Sequence, residues 1–219
     1  MTNPLTCYLD PLPLIAVLRG ITPQEIPAVG STLVANGFRI LEVPLNSPRP
    51  YDSIRLLVER FGDRCLVGAG TVLDVEDVAL VNAAGGRLIV MPHADAAVIR
   101  EAKRQGLVCV PGVAMPTEAF AALAAGADGL KMFPADQLPA SALKAWRAVL
   151  PVDTLVFAVG GMRPDNMAPY WAAGATGFGT GSNLYAPGAA ASDVGKSASA
   201  YASAFGALPP RTPIVAGLR

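Results

Sequence analysis

Short apolar runs alternate with longer amphipathic stretches along almost the whole chain. The runs fall at 14–19, 39–43, 65–69, 88–91, 107–111, 127–131, 154–159 and 175–179. Stretches of helical composition follow them at 22–36, 48–60, 74–84, 94–105, 116–125, 139–150, 164–173 and 189–206. A short continuous apolar run fits a strand buried on both faces, as in a parallel sheet covered by helices. Eight alternations without a hairpin signal predict such a sheet. A doubly wound open sheet shares the pattern. Eight units within 219 residues leave nothing for a second lobe, which favours closure into a single-domain (β/α)8 TIM barrel of the α/β class.

The punctuation supports the helices. Thr22-Pro23 is expected to open the first one, with Thr22 as N-cap, Pro23 at the first helical position and Glu25 completing a capping box. Gly37, Gly106, Gly126 and Gly174 stand where helices should end in a left-handed residue. The barrel is expected to occupy 13–207. Residues 1–12 form an N-terminal segment able to lid the barrel's bottom, and Pro-rich 208–219 reads as a tail across the surface.

Composition narrows the function classes. Apolar residues make up 52% and charged ones 16%, enough for a large core and too ordered a balance for a disordered chain. Formal net charge is zero, so there is no broad electrostatic footprint for nucleic acid or an anionic membrane. Mean hydropathy is positive, yet no apolar run approaches the roughly 18–20 residues that cross a bilayer. MTNPLTCYLD has no basic region before an apolar stretch, so it does not read as a signal peptide, and a cytoplasmic location is expected. Cys7, Cys65 and Cys109 match no metal spacing; Cys65 and Cys109 are expected to be buried packing residues.

In a barrel of this type the chemistry sits at the C-terminal ends of the strands. Those ends hold Arg19, Glu42, Thr71, Pro92, Pro111, Lys131, Gly160 and Gly181, spaced 19 to 29 residues apart. Lys131 could be a solvated surface lysine. Held in an apolar mouth, it would instead lose solvation, keep a neutral fraction and attack a ketone. Glu42 could be a buried partner of Arg19 or Lys131, or the general acid/base for the same reaction. Arg19 could pair with Glu42 or clamp a substrate carboxylate, and Thr71 could cap a helix near Asp74 or donate to that carboxylate. Gly160-Gly161 and Gly181-Ser182 close the last two strands, the usual phosphate position of such barrels, although tight turning alone also uses glycine. Gly68-Ala69-Gly70 is not a dinucleotide fingerprint, because Leu73 stands at the third glycine position. His93 is the single histidine; with so few ligands a metal site is not expected, and a loop or helix-start role suits it, with substrate contact the alternative.

LRGITP (18–23), ILEVPLNSP (40–48), VGAGTVL (67–73), PG (111–112), LKMFP (130–134), AVGG (158–161) and GTGSNLY (179–185) together resemble the class I aldolases for 2-keto-3-deoxy-6-phosphosugar acids. The resemblance runs in order from about residue 13 to 206. It implies a (β/α)8 barrel, a homotrimer, and neither metal nor other cofactor. It implies a Schiff base on Lys131, acid/base work by Glu42, carboxylate binding by Arg19 and Thr71, and phosphate binding by Gly160, Gly161, Gly181 and Ser182. LNS (45–47) and AVGG depart from the gluconate-type pattern and match the galactonate-type branch. The implied reaction splits 2-dehydro-3-deoxy-6-phosphogalactonate into pyruvate and D-glyceraldehyde 3-phosphate, a step of D-galactonate breakdown; the C4 epimer, or both epimers, is the alternative. Asn46, Val159 and Pro92 are the candidates for reading C4. A sugar-phosphate isomerase or a non-catalytic sugar-phosphate sensor would share the glycine loops but leave Lys131 beside Glu42 unexplained.

Overall fold

The computed structural model describes residues 3–210. Strands and helices alternate in the expected order: β1 (Leu14–Val17), α1 (Ile26–Ala35), β2 (Ile40–Pro44), α2 (Pro50–Phe61), β3 (Leu66–Gly70), α3 (Val75–Ala83), β4 (Leu88–Val90), α4 (Ala96–Arg104), β5 (Val108–Val110), β6 (Gly112–Val113), α5 (Pro116–Ala124), β7 (Leu130–Met132), α6 (Ala140–Arg147), β8 (Val156–Val159), α7 (Met167–Ala172), β9 (Gly177–Thr180) and α8 (Ala191–Gly206). Every strand pairing is parallel, in the order β5-β4-β3-β2-β1-β9-β8-β7-β6. The two ends of that order, β5 and β6, are halves of one run broken at Pro111. A proline has no N–H to continue the ladder. The first half pairs with β4 and the second with β7, and the Lys131 N–H reaches the Pro111 carbonyl at 2.8 Å. The sheet therefore closes through its broken strand into a (β/α)8 barrel.

Alternation along the strands separates two cores. Ile15, Ile40, Leu66, Leu88, Val90, Val108, Val110, Phe157 and Val159 point inward and fill the barrel. Leu41, Val43, Val67, Ala69, Ile89, Cys109, Met132, Ala158 and Phe178 point outward and pack under the helices. The inner core is joined by Leu5, fully buried, from a 3₁₀ turn at Pro4–Tyr8. Burying a leucine is worth roughly 1.5–3 kcal/mol. Asn3 fixes that turn: its side chain accepts the Leu5 N–H at 3.0 Å and donates to the Asp128 carbonyl at 2.6 Å. The N-terminal segment thus stops the lower end of the barrel, leaving the other end for the site.

Gly37, Gly106, Gly126 and Gly174 all have positive φ after their helices. The start of α1 differs from expectation. Thr22 is not its N-cap: its hydroxyl donates to the Glu25 carboxylate at 2.6 Å, and the α-helix begins only at Ile26. Cys65 and Cys109 are buried and Cys7 is exposed. Of the expected tail, Pro209 accepts a hydrogen bond from the Trp171 indole at 2.9 Å; residues 211–219 lie outside the described ones. Among the described residues no helix is long and apolar enough to cross a membrane.

Candidate active site

Lys131 and Glu42 sit on inward-facing strand positions. Lys131 is in register with Phe157 on one side and Gly112 on the other; Glu42 lies beside Val17 and Gly68. Both are buried, at 6% and 1% exposure. They do not form the direct ion pair that was one reading of Glu42. Among the described residues neither joins an ion pair within 4.0 Å, and the Glu42 Oε2 atom has no hydrogen-bond partner. The two groups still sense each other's charge. Burial pushes the Glu42 carboxyl up to about 7, against the pull of Lys131 and then Arg19. Burial also lowers the Lys131 ammonium; Glu42 opposes that shift and Arg19 adds to it. The Lys131 nitrogen lies 4.5 Å from the centroid of the Phe133 ring, on the same inward face two residues on.

Lys131 opens into a cavity of about 490 Å³ at the C-terminal end of the barrel, whose wall includes Arg19, Val159, Gly160, Gly161, Gly181 and Ser182. Arg19 is held at its edge. Its guanidinium donates to the Asn46 side-chain oxygen at 2.7 Å and to the Thr71 hydroxyl at 3.3 Å. The turn beneath it is fixed by the Gly20 N–H donating to the Ser47 hydroxyl at 2.9 Å. Thr71 has φ +54°, in the left-handed region, and α3 is preceded instead by Asp74 in extended conformation. Thr71 is therefore not the helix cap; its strained backbone presents the hydroxyl to Arg19. Of the two readings of Arg19, the pairing with Glu42 is not seen. A planar guanidinium with two neutral partners retains the positive charge needed for a carboxylate.

Across the cavity the chain turns at Gly160 and Gly161, with φ of +108° and +63°. A side chain at Gly161 would also approach Asp136 Cβ at 2.8 Å. The backbone N–H groups of Gly160, Gly161, Ser182 and Asn183 donate to no group among the described residues. Asn183 ties the two turns together by donating to the Met162 carbonyl at 3.2 Å, and Tyr201 from α8 donates to the same carbonyl at 2.6 Å. A cluster of free N–H groups on the wall of one cavity suits an anion.

The remaining candidates lie elsewhere or act indirectly. Pro92 does not line this cavity; with exposed His93 it borders a neighbouring depression of about 340 Å³ that shares Phe133. Asn46 reaches the site through Arg19. Among the described residues no group of three or more His, Cys, Asp or Glu side chains could hold a metal ion. Sequence reasoning overlooked Phe133 and Gly70. Phe133 was within reach, because position i+2 from Lys131 shares its face. Gly70 was not: a Cβ there would collide with the Glu42 carboxyl, a neighbour only the barrel's register supplies.

Comparison with known proteins adds a family and a set of relatives. The family model described as "Aldolase: KDPG and KHG aldolase" matches residues 6–196. A protein of Rhizobium meliloti (strain 1021) named "Probable 2-dehydro-3-deoxy-6-phosphogalactonate aldolase" is 50% identical over 196 residues, 90% of this chain and 92% of its own length. The Escherichia coli (strain K12) protein named "2-dehydro-3-deoxy-6-phosphogalactonate aldolase" is 46% identical, covering 89% and 95%. A solved structure described as "Native KDPGal structure" superposes with a TM-score of 0.88 at 45% identity, covering 90% of this chain and 96% of that one.

Proposed function

The chain belongs to the KDPG and KHG aldolase family, and on that premise we propose that it is a class I aldolase cleaving 2-dehydro-3-deoxy-6-phosphogalactonate to pyruvate and D-glyceraldehyde 3-phosphate. One observation carries the reading: a buried amine whose charged form is disfavoured shares the barrel interior with a buried carboxyl that stays partly protonated at neutral pH. Each group is out of place in a purely structural role and fitted to proton transfer.

In this mechanism the neutral Lys131 amine attacks C2 of the keto acid and gives a carbinolamine. Glu42 donates a proton to the departing hydroxyl, water leaves and an iminium forms. The Glu42 carboxylate then takes the proton of the C4 hydroxyl. The C3–C4 electrons move into the iminium, the aldehyde departs and an enamine remains. Protonation at C3 and hydrolysis release pyruvate and restore the amine. Arg19, steadied by Asn46 and Thr71, holds the substrate carboxylate together with the Thr71 hydroxyl. Gly160, Gly161, Gly181 and Ser182 hold the phosphate. Val159, on the cavity wall, discriminates at C4. No resident cofactor is required, the protein works in the cytoplasm as a homotrimer, and exposed Met115 and Phe120 support a covered face on α5.

Pyruvate with borohydride should add mass at Lys131; protein that gains none there has no imine mechanism. A coupled lactate dehydrogenase assay with the two epimeric substrates tests specificity. A higher kcat/KM for the gluconate epimer would overturn the galactonate assignment. Sedimentation of a single-chain species would overturn the trimer.

A further inference from the structure

The turn after β1 carries Arg19, and the turn after β9 carries Ser182. One carboxylate that takes no part in the mechanism joins them. Glu25, half-buried just before α1, accepts the Thr22 N–H at 2.9 Å and the Thr22 hydroxyl at 2.6 Å on Oε2. Its Oε1 accepts the Tyr185 hydroxyl at 2.8 Å and the Gly188 N–H at 3.0 Å. Thr22 stands three residues after Arg19, and Tyr185 three after Ser182. Four donors on two oxygens satisfy the carboxylate and make charge-assisted bonds. The two turns also touch directly: a Cβ on Gly20 would approach Pro187 Cγ at 2.6 Å. Tyr185 is almost wholly buried and, with Ala186 and Pro187, lines the cavity. Both donors to Oε1 thus come from the segment 181–188, whose first turn offers the free N–H groups of Ser182 and Asn183.

We infer that Glu25 is a positioning residue that holds the 181–188 segment in its phosphate-binding shape. This rests on the reading of Gly160, Gly161 and Ser182 as the phosphate site. Loss of Glu25 leaves the Tyr185 hydroxyl, the Gly188 N–H and the two Thr22 donors without this acceptor and frees the segment, while Arg19 keeps its hydrogen bonds to Asn46 and Thr71. Lys131 and Glu42, anchored in strands, are untouched. The defect therefore falls on the phosphate end of the substrate.

The test compares wild type, Glu25→Ala and Glu25→Gln as full chains. Four quantities are measured: kcat and KM with the phosphorylated substrate, the competitive inhibition constant of inorganic phosphate, and the rate of borohydride trapping of pyruvate, which has no phosphate. Glu25→Ala should raise KM and the phosphate inhibition constant by roughly 10- to 100-fold, the range for lost charged hydrogen bonds. Pyruvate trapping should stay within about twofold. Glu25→Gln retains an oxygen for Tyr185 and Gly188 but turns an NH2 group toward the Thr22 N–H, so it should recover part of the loss. Tyr185→Phe, which removes one hydroxyl, should shift the same two constants by roughly 3- to 10-fold and serves if Glu25→Ala does not fold. Equal slowing of pyruvate trapping, or an unchanged phosphate constant, would overturn the role of Glu25. If inorganic phosphate fails to inhibit even the wild type, the phosphate reading falls first and this inference with it.

Discussion

A single missing methyl group decides where the Glu42 carboxyl, the proposed acid/base group, can sit. Gly70 lies in β3 against Glu42 on β2, and a Cβ there would overlap the carboxyl. Gly70→Ala should destabilise the fold by roughly 1–3 kcal/mol, the usual cost of overpacking, and should lower kcat by displacing Glu42; thermal denaturation and turnover measured together check both. Glu42→Gln should slow turnover by roughly 10²–10⁴-fold, the span of lost acid/base help. Turnover equal to wild type would give the proton transfer to another group. Lys131→Arg preserves a cation in the same place, yet a guanidinium cannot form the imine. It should show no borohydride adduct and no measurable pyruvate release.

The elements owe their positions to ties that lie far from the chemistry. Arg147, at the end of α6, donates to the Thr154 carbonyl at 2.6 Å and twice to the Gly174 carbonyl, at 3.0 and 2.7 Å. It thereby joins α6 to the entries of β8 and β9, the two strands that lead into Gly160 and Gly181. Arg147→Met should leave those carbonyls unsatisfied and cost roughly 2–3 kcal/mol, with KM near wild type because strand packing keeps the register. A urea titration paired with steady-state kinetics separates the two effects. At the same scale, the break at Pro111 shows how one residue type shapes the barrel: it splits the fifth strand into β5 and β6 while Gly112 passes close to the Pro92 backbone.

The whole molecule carries the cost of two buried ionisable groups, and pH exposes it. Glu42 has a folded pKa raised to about 7 from an ordinary value of 4.5. Between those values the folded chain keeps a proton that the unfolded chain gives up, so this group's contribution to stability falls as pH rises through that window. Wild type should lose stability relative to Glu42→Gln from about pH 4.5 to 7, and melting temperatures of the two proteins across that range check the sign. Lys131 works the other way. Its pKa is lowered below 10.5, so the unfolded chain binds the extra proton and this contribution to stability grows with rising pH. The rate of pyruvate trapping should rise with pH as the amine becomes neutral and level off below 10.5. A rise continuing to that value would mean an amine in contact with bulk water.

By itself the sequence determined the order of elements, because apolar strands and glycine-ended helices are local patterns set by the spacing of residues. It also placed Arg19, Glu42, Thr71, Lys131, Gly160, Gly161 and Ser182 at strand ends, which a closed parallel barrel gathers onto one rim. Its motifs carried the family resemblance. Tertiary structure alone decided how those residues engage. Arg19 leans on Asn46 and Thr71, the Glu42 Oε2 atom has no hydrogen-bond partner among the described residues, and Glu25, besides accepting the Thr22 N–H, reaches from the start of α1 to the turn after β9. The reason is physical. Burial and hydrogen-bond partners depend on strand register and on contacts between turns more than a hundred residues apart, and no local pattern encodes those distances.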